Sequence, residues 1–263
     1  MFLKKELYLI ESKKYVTLEI YIPFDTQSKL DILYLLDGQN AFKDKNATFG
    51  RSLRMKKHLD FAYEEMNKNI LGVSIYSPSN EIDRTNEYAP FTVTYSYIDS
   101  LKKNKTSKFK NFIKDFSNII IPYIENNFNV NKGIEHRFLY GSSLAATTAL
   151  FLAFKNDRLF NIVGCFSTAL FLYHDEFYQF LDKRKNKDAK IFLYVGKNEI
   201  SDSINDTTLY LKTSLELYNY LKEKGNNVKL LISKTGKHNE KSWDLVFDDF
   251  ISYIYEDKIT YRL

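Results

Sequence analysis

The stretch Phe138-Leu139-Tyr140-Gly141-Ser142-Ser143-Leu144-Ala145-Ala146 carries the strongest chemical signal in the chain. An apolar run, a glycine, two serines and an Ala-rich run read as strand, sharp turn and helix. That is the context of a nucleophile elbow, with Ser143 at the turn. Such a turn strains the serine backbone and lifts the hydroxyl above the sheet edge. Small residues two positions to either side let strand and helix pass closely. Gly141 meets that need, and Ala145 stands where the motif usually has glycine. The following helix would aim its N-terminus and the amide of Leu144 at a developing oxyanion. The bland alternative for a Ser-Ser pair here is a helix N-cap.

A serine hydroxyl needs a base, and the chain has four histidines. His58 lies among Lys56, Lys57 and Asp60 on an expected helix and reads as a surface residue. His136 just precedes the elbow strand, at the opposite end of the sheet from Ser143. His174 follows Leu172-Tyr173 in an expected loop, where it can line a substrate pocket. His238 lies in the loop Thr235-Gly236-Lys237-His238-Asn239-Glu240, between an apolar run ending near Ile232 and the final helix. Loops that follow the carboxyl ends of parallel strands share one edge, so His238 is the geometric choice. An orienting carboxylate is expected between the two, because serine, acid and histidine follow in that order around such an elbow. Glu199 and Asp202 both follow the run Ile191 to Val195. Glu199, the first carboxylate after the turn, is favoured; Asp202 is the alternative acid, and a Ser-His dyad is a further one. The implied chemistry is acyl transfer through a covalent intermediate, with no metal or organic cofactor.

Short apolar runs must supply the scaffold for these groups. Val16, Leu18, Ile20 and Ile22 alternate as in a half-buried strand, and Leu7 to Ile10 supplies an antiparallel partner. Nearly continuous runs follow at Ile32 to Leu36, Ile70 to Ile75, Phe138 to Tyr140, Ile162 to Phe166, Ile191 to Val195 and Val228 to Ile232. Runs of this kind fit strands buried on both faces of a parallel sheet. Helical patterns lie between them: Phe112 to Ile120, Ser143 to Phe154, and a stretch with Leu209, Leu215, Leu217 and Leu221 that Gly225 can end with a left-handed cap. A last helix is expected from Lys241 to Tyr255, with Trp243, Val246, Phe247, Phe250 and Ile251 facing the core. Strands alternating with helices imply right-handed βαβ units and an α/β fold. Residues 77–104 fit no regular element, so they are expected to form a substrate-loop insertion in a single domain over 1–263.

Bulk properties exclude several other classes. With 44% hydrophobic and 27% charged residues the chain is an ordinary globular sequence rather than a disordered one. One cysteine, Cys165, rules out an internal disulfide and a multi-cysteine zinc site, and its apolar run reads as core. The charged start, Met1-Phe2-Leu3-Lys4-Lys5-Glu6, is unlike a secretory signal, and no apolar run approaches the ~20 residues of a membrane span. A cytoplasmic location is therefore expected, with no membrane partner. The net charge of +5 is mild. Lys102, Lys103, Lys105, Lys108 and Lys110 read as the wet face of a helix rather than a nucleic-acid site, with attraction of an anionic substrate as the other option.

Taken together, these pieces resemble the bacterial "Putative esterase" family of α/β-hydrolases, which includes esterase-D-like and enterochelin-esterase-like enzymes. Four patches carry the resemblance: Tyr34-Leu35-Leu36-Asp37-Gly38-Gln39-Asn40-Ala41-Phe42, Arg84-Thr85-Asn86-Glu87-Tyr88-Ala89-Pro90-Phe91, the elbow around Ser143, and Gly236-Lys237-His238-Asn239-Glu240 with Trp243. The resemblance implies an α/β-hydrolase fold: a mostly parallel central sheet, antiparallel N-terminal strands and helices on both faces. It implies an oxyanion hole built from the amide of Leu144 and one from the Asp37-Gly38-Gln39 turn, with Gly38 and Gln39 preferred. Asp37 is expected to organise that loop. Arg84 and Glu87 are expected to pair and hold the insertion, or Arg84 to meet an anionic or catechol-like substrate group. The expected activity is a carboxylesterase for small or medium acyl esters. A siderophore trilactone or sugar ester is the alternative substrate, and a noncatalytic binding protein the alternative class.

Overall fold

The computed structural model describes residues 1–23, 27–95, 101, 104–155, 159–184, 186, 188–199 and 208–256. Eight strands form one sheet: β1 (Phe2–Leu9), β2 (Lys14–Tyr21), β3 (Asp31–Leu35), β4 (Ile70–Ile75), β5 (Arg137–Ser142), β6 (Ile162–Phe166), β7 (Lys190–Gly196) and β8 (Asn227–Ser233). Their order is β1-β2-β4-β3-β5-β6-β7-β8. The first two strands pair antiparallel, β2 meets β4 antiparallel, and every later pairing is parallel. Parallel pairing carries the ends of β5, β6, β7 and β8 to one edge, where their loops converge.

Nine α-helices are described: α1 (Met55–Met66), α2 (Glu81–Tyr88), α3 (Thr106–Asp115), α4 (Ile121–Asn127), α5 (Leu144–Phe154), α6 (His174–Asp182), α7 (Leu209–Glu223), α8 (Glu240–Asp244) and α9 (Phe247–Tyr255). A wider π turn over Phe116–Ile120 joins α3 to α4. Helices cover both faces because each central strand is apolar on both sides. Ile32 and Tyr34 of β3 belong to one apolar cluster with residues of α3, α4, α5 and α7, while Leu33 and Leu35 belong to another with residues of α1 and α9. Cys165 lies fully buried on the first of these faces. No helix among the described residues is long and apolar enough to cross a membrane.

Two expectations about elements need correction. Residues 77–104 include a regular helix, α2, whose N-cap Asn80 accepts a hydrogen bond from the Asp83 amide at 2.8 Å. Its buried face is Thr85, Asn86, Glu87 and Tyr88, so hydrophobic spacing does not reveal it. The final helix is also two helices, interrupted at Leu245 and Val246. Leu245 is 76% exposed, while Trp243 and Phe247 on either side of the break are buried.

His58 is a third correction. It is 1% exposed on α1, with Nε2 3.0 Å from Asp244 Oδ1 and Nδ1 2.6 Å from Asp248 Oδ1. Its lysine-rich neighbourhood in the sequence suggests a wet face. The carboxylates that draw it inward come from α8 and α9, some 190 residues away.

Candidate active site

Ser143 stands between β5 and α5 with φ 56° and ψ −122°, a conformation that costs a non-glycine residue about 1–3 kcal/mol. Close packing enforces the turn. A methyl group on Gly141 would lie 2.3 Å from the carbonyl oxygen of Ala145, one helical turn later. The Ser143 amide donates to Phe166 O at 2.8 Å, tying the turn to the end of β6. The side chain makes no capping bond to α5, which disposes of the N-cap reading. Its Oγ lies 3.0 Å from His238 Nε2.

His238 is fixed from three sides. Nδ1 lies 3.0 Å from Glu199 Oε2, the ring of Tyr210 lies at 4.4 Å between centroids, and the Trp243 indole meets it edge-on at 5.3 Å. The loops after β7 and β8 are clipped together, with Lys197 N donating to Ser233 O and Asn198 N to Gly236 O. This clip brings Glu199 beside His238 from 39 residues away. Glu199 is fully buried, and its Oε1 accepts from the Gly196 amide at 2.7 Å and from Ser167 Oγ at 2.6 Å. Asp202, the alternative acid, lies outside the described residues.

The loop after β3 faces the same space. Asp37 holds a left-handed backbone, φ 53°, and opens a short turn over Gly38–Asn40. Gly38 packs against the end of β4, where an added methyl group would lie 2.4 Å from Ile75 N. The Asp37 amide donates to Tyr88 Oη at 3.2 Å. Gly38 and Gln39 are therefore the turn's remaining candidates for the second oxyanion donor, opposite Leu144 at the start of α5.

Arg84 reaches this loop, although its partner is not Glu87. Its Nε and Nη2 donate to Asp37 Oδ1 and Oδ2 at 2.8 and 2.6 Å, a two-pronged pair, and Ser77 Oγ also donates to Asp37. Burial presses the guanidinium's pKa downward, but Asp37 outweighs it and keeps Arg84 charged. Glu87 pairs with Lys14 of β2 instead. Residues three apart on α2 share a face but meet different neighbours, and those neighbours set the partners. Ser143, His238, Arg84, Asp37, Gln39 and Leu144 all line a cavity of about 380 Å³.

His174 does not line this cavity. It opens α6 with 45% of its side chain exposed, facing Asp175 and Glu216. Three contributors have no role assigned from the sequence, although Asn40 and Glu240 lie in two of the patches that carry the resemblance. Ser167 is fully buried at φ 51°, and besides donating to Glu199 it accepts from Trp243 Nε1 at 2.8 Å. Asn40 and Glu240 meet across the cavity wall, with Asn40 Nδ2 donating to Glu240 Oε1 at 2.8 Å. Burial pushes the Glu240 carboxyl up to about 7; its own backbone amide opposes the rise and the Asp37 charge adds to it. For Ser167 the hint in the sequence is position: it directly follows an apolar run, as Ser143 nearly does.

The model of the family described as "Putative esterase" matches residues 11–252. YbbA of Bacillus subtilis (strain 168) is 23% identical over 242 residues, spanning 90% of this chain and 91% of that one. An IroE-like serine hydrolase from Shewanella oneidensis superposes with a TM-score of 0.78 at 18% identity, over 96% of this chain and 79% of that one. The enterobactin esterase of Shigella flexneri superposes with a TM-score of 0.70 at 13% identity, over 97% of this chain and 58% of that one. The fold is that of the α/β-hydrolases, as the resemblance implies.

Proposed function

The chain belongs to the "Putative esterase" family, and on that premise we propose that it is a serine esterase working through an acyl-enzyme intermediate. The observation that carries this reading is the continuous line from Ser143 Oγ through the His238 ring to the buried Glu199 carboxylate, each contact 3.0 Å long. An ionised carboxylate can only accept, so Glu199 holds the His238 proton on Nδ1 and leaves Nε2 free to accept from the serine. His238 takes that proton as Ser143 attacks the ester carbonyl. The oxyanion is received by the amide of Leu144 at the N-terminus of α5 and by Gly38 or Gln39. His238 then protonates the departing alcohol and activates water for the second half of the cycle.

The cavity volume suits a small or medium acyl ester. An anionic catecholate would need free cationic groups, and Arg84 already spends two donors on Asp37. That engagement favours a simple carboxylic ester over a siderophore trilactone.

The test is a fluorophosphonate probe with peptide mapping, alongside turnover of 4-methylumbelliferyl butyrate. An adduct on Ser143 that is lost in His238→Ala, together with loss of turnover in Ser143→Ala, is expected. Full activity in purified Ser143→Ala would overturn the assignment.

A further inference from the structure

The charges around the cavity do not balance. Among the described residues it is lined by three carboxylates, Asp37, Glu81 and Glu240, against one permanent cation, Arg84. Arg84 and Asp37 neutralise each other. Glu81 is exposed to water, which screens it. Glu240 is different. It is 4% exposed, opens α8 two residues after His238, and is met by the neutral side chain of Asn40. Among the described residues no lysine, arginine or histidine forms an ion pair with it.

A buried carboxylate without a cationic partner is costly. The bond to Asn40 does not require that cost, since a glutamine carbonyl would accept from Nδ2 equally well. An ionised carboxylate can take about four donors, so Glu240 retains acceptor capacity beyond Asn40 and its own backbone amide. A hydrogen-bond donor carrying positive charge, brought into the cavity beside Ser143, would supply the missing partner.

We propose that Glu240 is a specificity-determining residue and that the preferred substrates are esters bearing a protonated amine a few carbons from the scissile carbonyl. This rests on the serine-esterase reading above. An ammonium group in the cavity donates to Glu240, while an anionic group in the same place meets Glu240 with no described free cation to offset it. The preference order is therefore ammonium, then neutral, then carboxylate.

Two matched series of esters test the proposal with the full chain. On the acyl side they are the butyrate, 4-aminobutyrate and hemisuccinate esters of 4-methylumbelliferone. On the alcohol side they are the acetates of butanol, 4-aminobutanol and 4-hydroxybutyrate. In at least one series the ammonium member should exceed the neutral member in kcat/KM by about tenfold or more. Glu240→Gln should bring that ratio to about one. A flat charge preference in both series by protein that labels at Ser143 would overturn the proposal alone. So would an equal loss on all members in Glu240→Gln, which would make Glu240 a support for Asn40 only. Protein that neither labels nor turns over any ester would remove the esterase reading, and the proposal with it.

Discussion

Ser167 and Glu199 lie 32 residues apart in the sequence, yet Ser167 Oγ donates to Glu199 Oε1 at 2.6 Å with both residues fully buried. The Trp243 indole N–H donates into the same hydroxyl. Glu199 therefore has one oxygen held by Ser167 and the Gly196 amide, and the other turned to His238. Glu199 is thus oriented by Ser167 and Gly196, neither of which lines the cavity.

Ser167→Ala removes a charge-assisted hydrogen bond from a buried carboxylate and leaves Trp243 Nε1 without its acceptor. Each loss costs about 1–3 kcal/mol. The expected result is a lower Tm and a kcat reduced by about tenfold with KM little changed. Steady-state kinetics beside thermal melts check this. A variant with the parent's kcat and Tm would show that Ser167 positions nothing.

Gly141→Ala should damage the elbow directly. Its new methyl group would overlap the Ala145 carbonyl at 2.3 Å, a backbone contact that no rotamer change relieves. Strand and helix must part, costing ~2 kcal/mol or more. Denaturant titration should show the loss, and probe labelling of Ser143 should fall with it.

Stability should depend on pH through Glu240. Its carboxyl lies near 7 in the folded protein against 4.5 for the free group. Between those values the folded state keeps a proton that the unfolded chain has released. Stability therefore falls as pH rises through this window and is level above it, by up to ~3 kcal/mol. Glu240→Gln lacks this loss, so it should be more stable than the parent at pH 8 and similar near pH 4.5. Urea titrations at the two pH values decide; an advantage of equal size at both would refute the buried-carboxylate account.

His58→Phe keeps a ring beside Phe247, which His58 meets at 5.2 Å, and deletes both carboxylate contacts. Asp244 retains Arg51 and Lys57. A destabilisation of about 2–4 kcal/mol is expected, with Ser143 still reacting with the probe in folded protein. Loss of labelling without loss of stability would instead tie His58 to the chemistry.

Much of the scaffold was legible because its signals are local. Each apolar run from Ile32 to Ile232 overlaps one of the strands β3 to β8, and the glycine-serine turn before an Ala-rich run marks the β5–α5 junction. Parallel connection then places the residues after β7 and β8 on the edge occupied by Ser143. Where local signals were weak or misleading, the reading failed. Helix α2 buries a polar face, the last helix breaks where Leu245 turns outward, and His174 begins a helix instead of lining the cavity.

The sequence alone determined the succession of strands β3 to β8 and the places of Ser143, Glu199 and His238 relative to them, because spacing over a few residues dictates which face is buried. Only the tertiary structure decided the partners: Arg84 with Asp37, Glu87 with Lys14, His58 with Asp244 and Asp248, Glu240 with Asn40. Hydrogen bonds and ion pairs act over a few ångströms in space, and these partners stand 47 to 200 residues apart along the chain. No periodicity records which distant carboxylate a folded sheet will bring within reach.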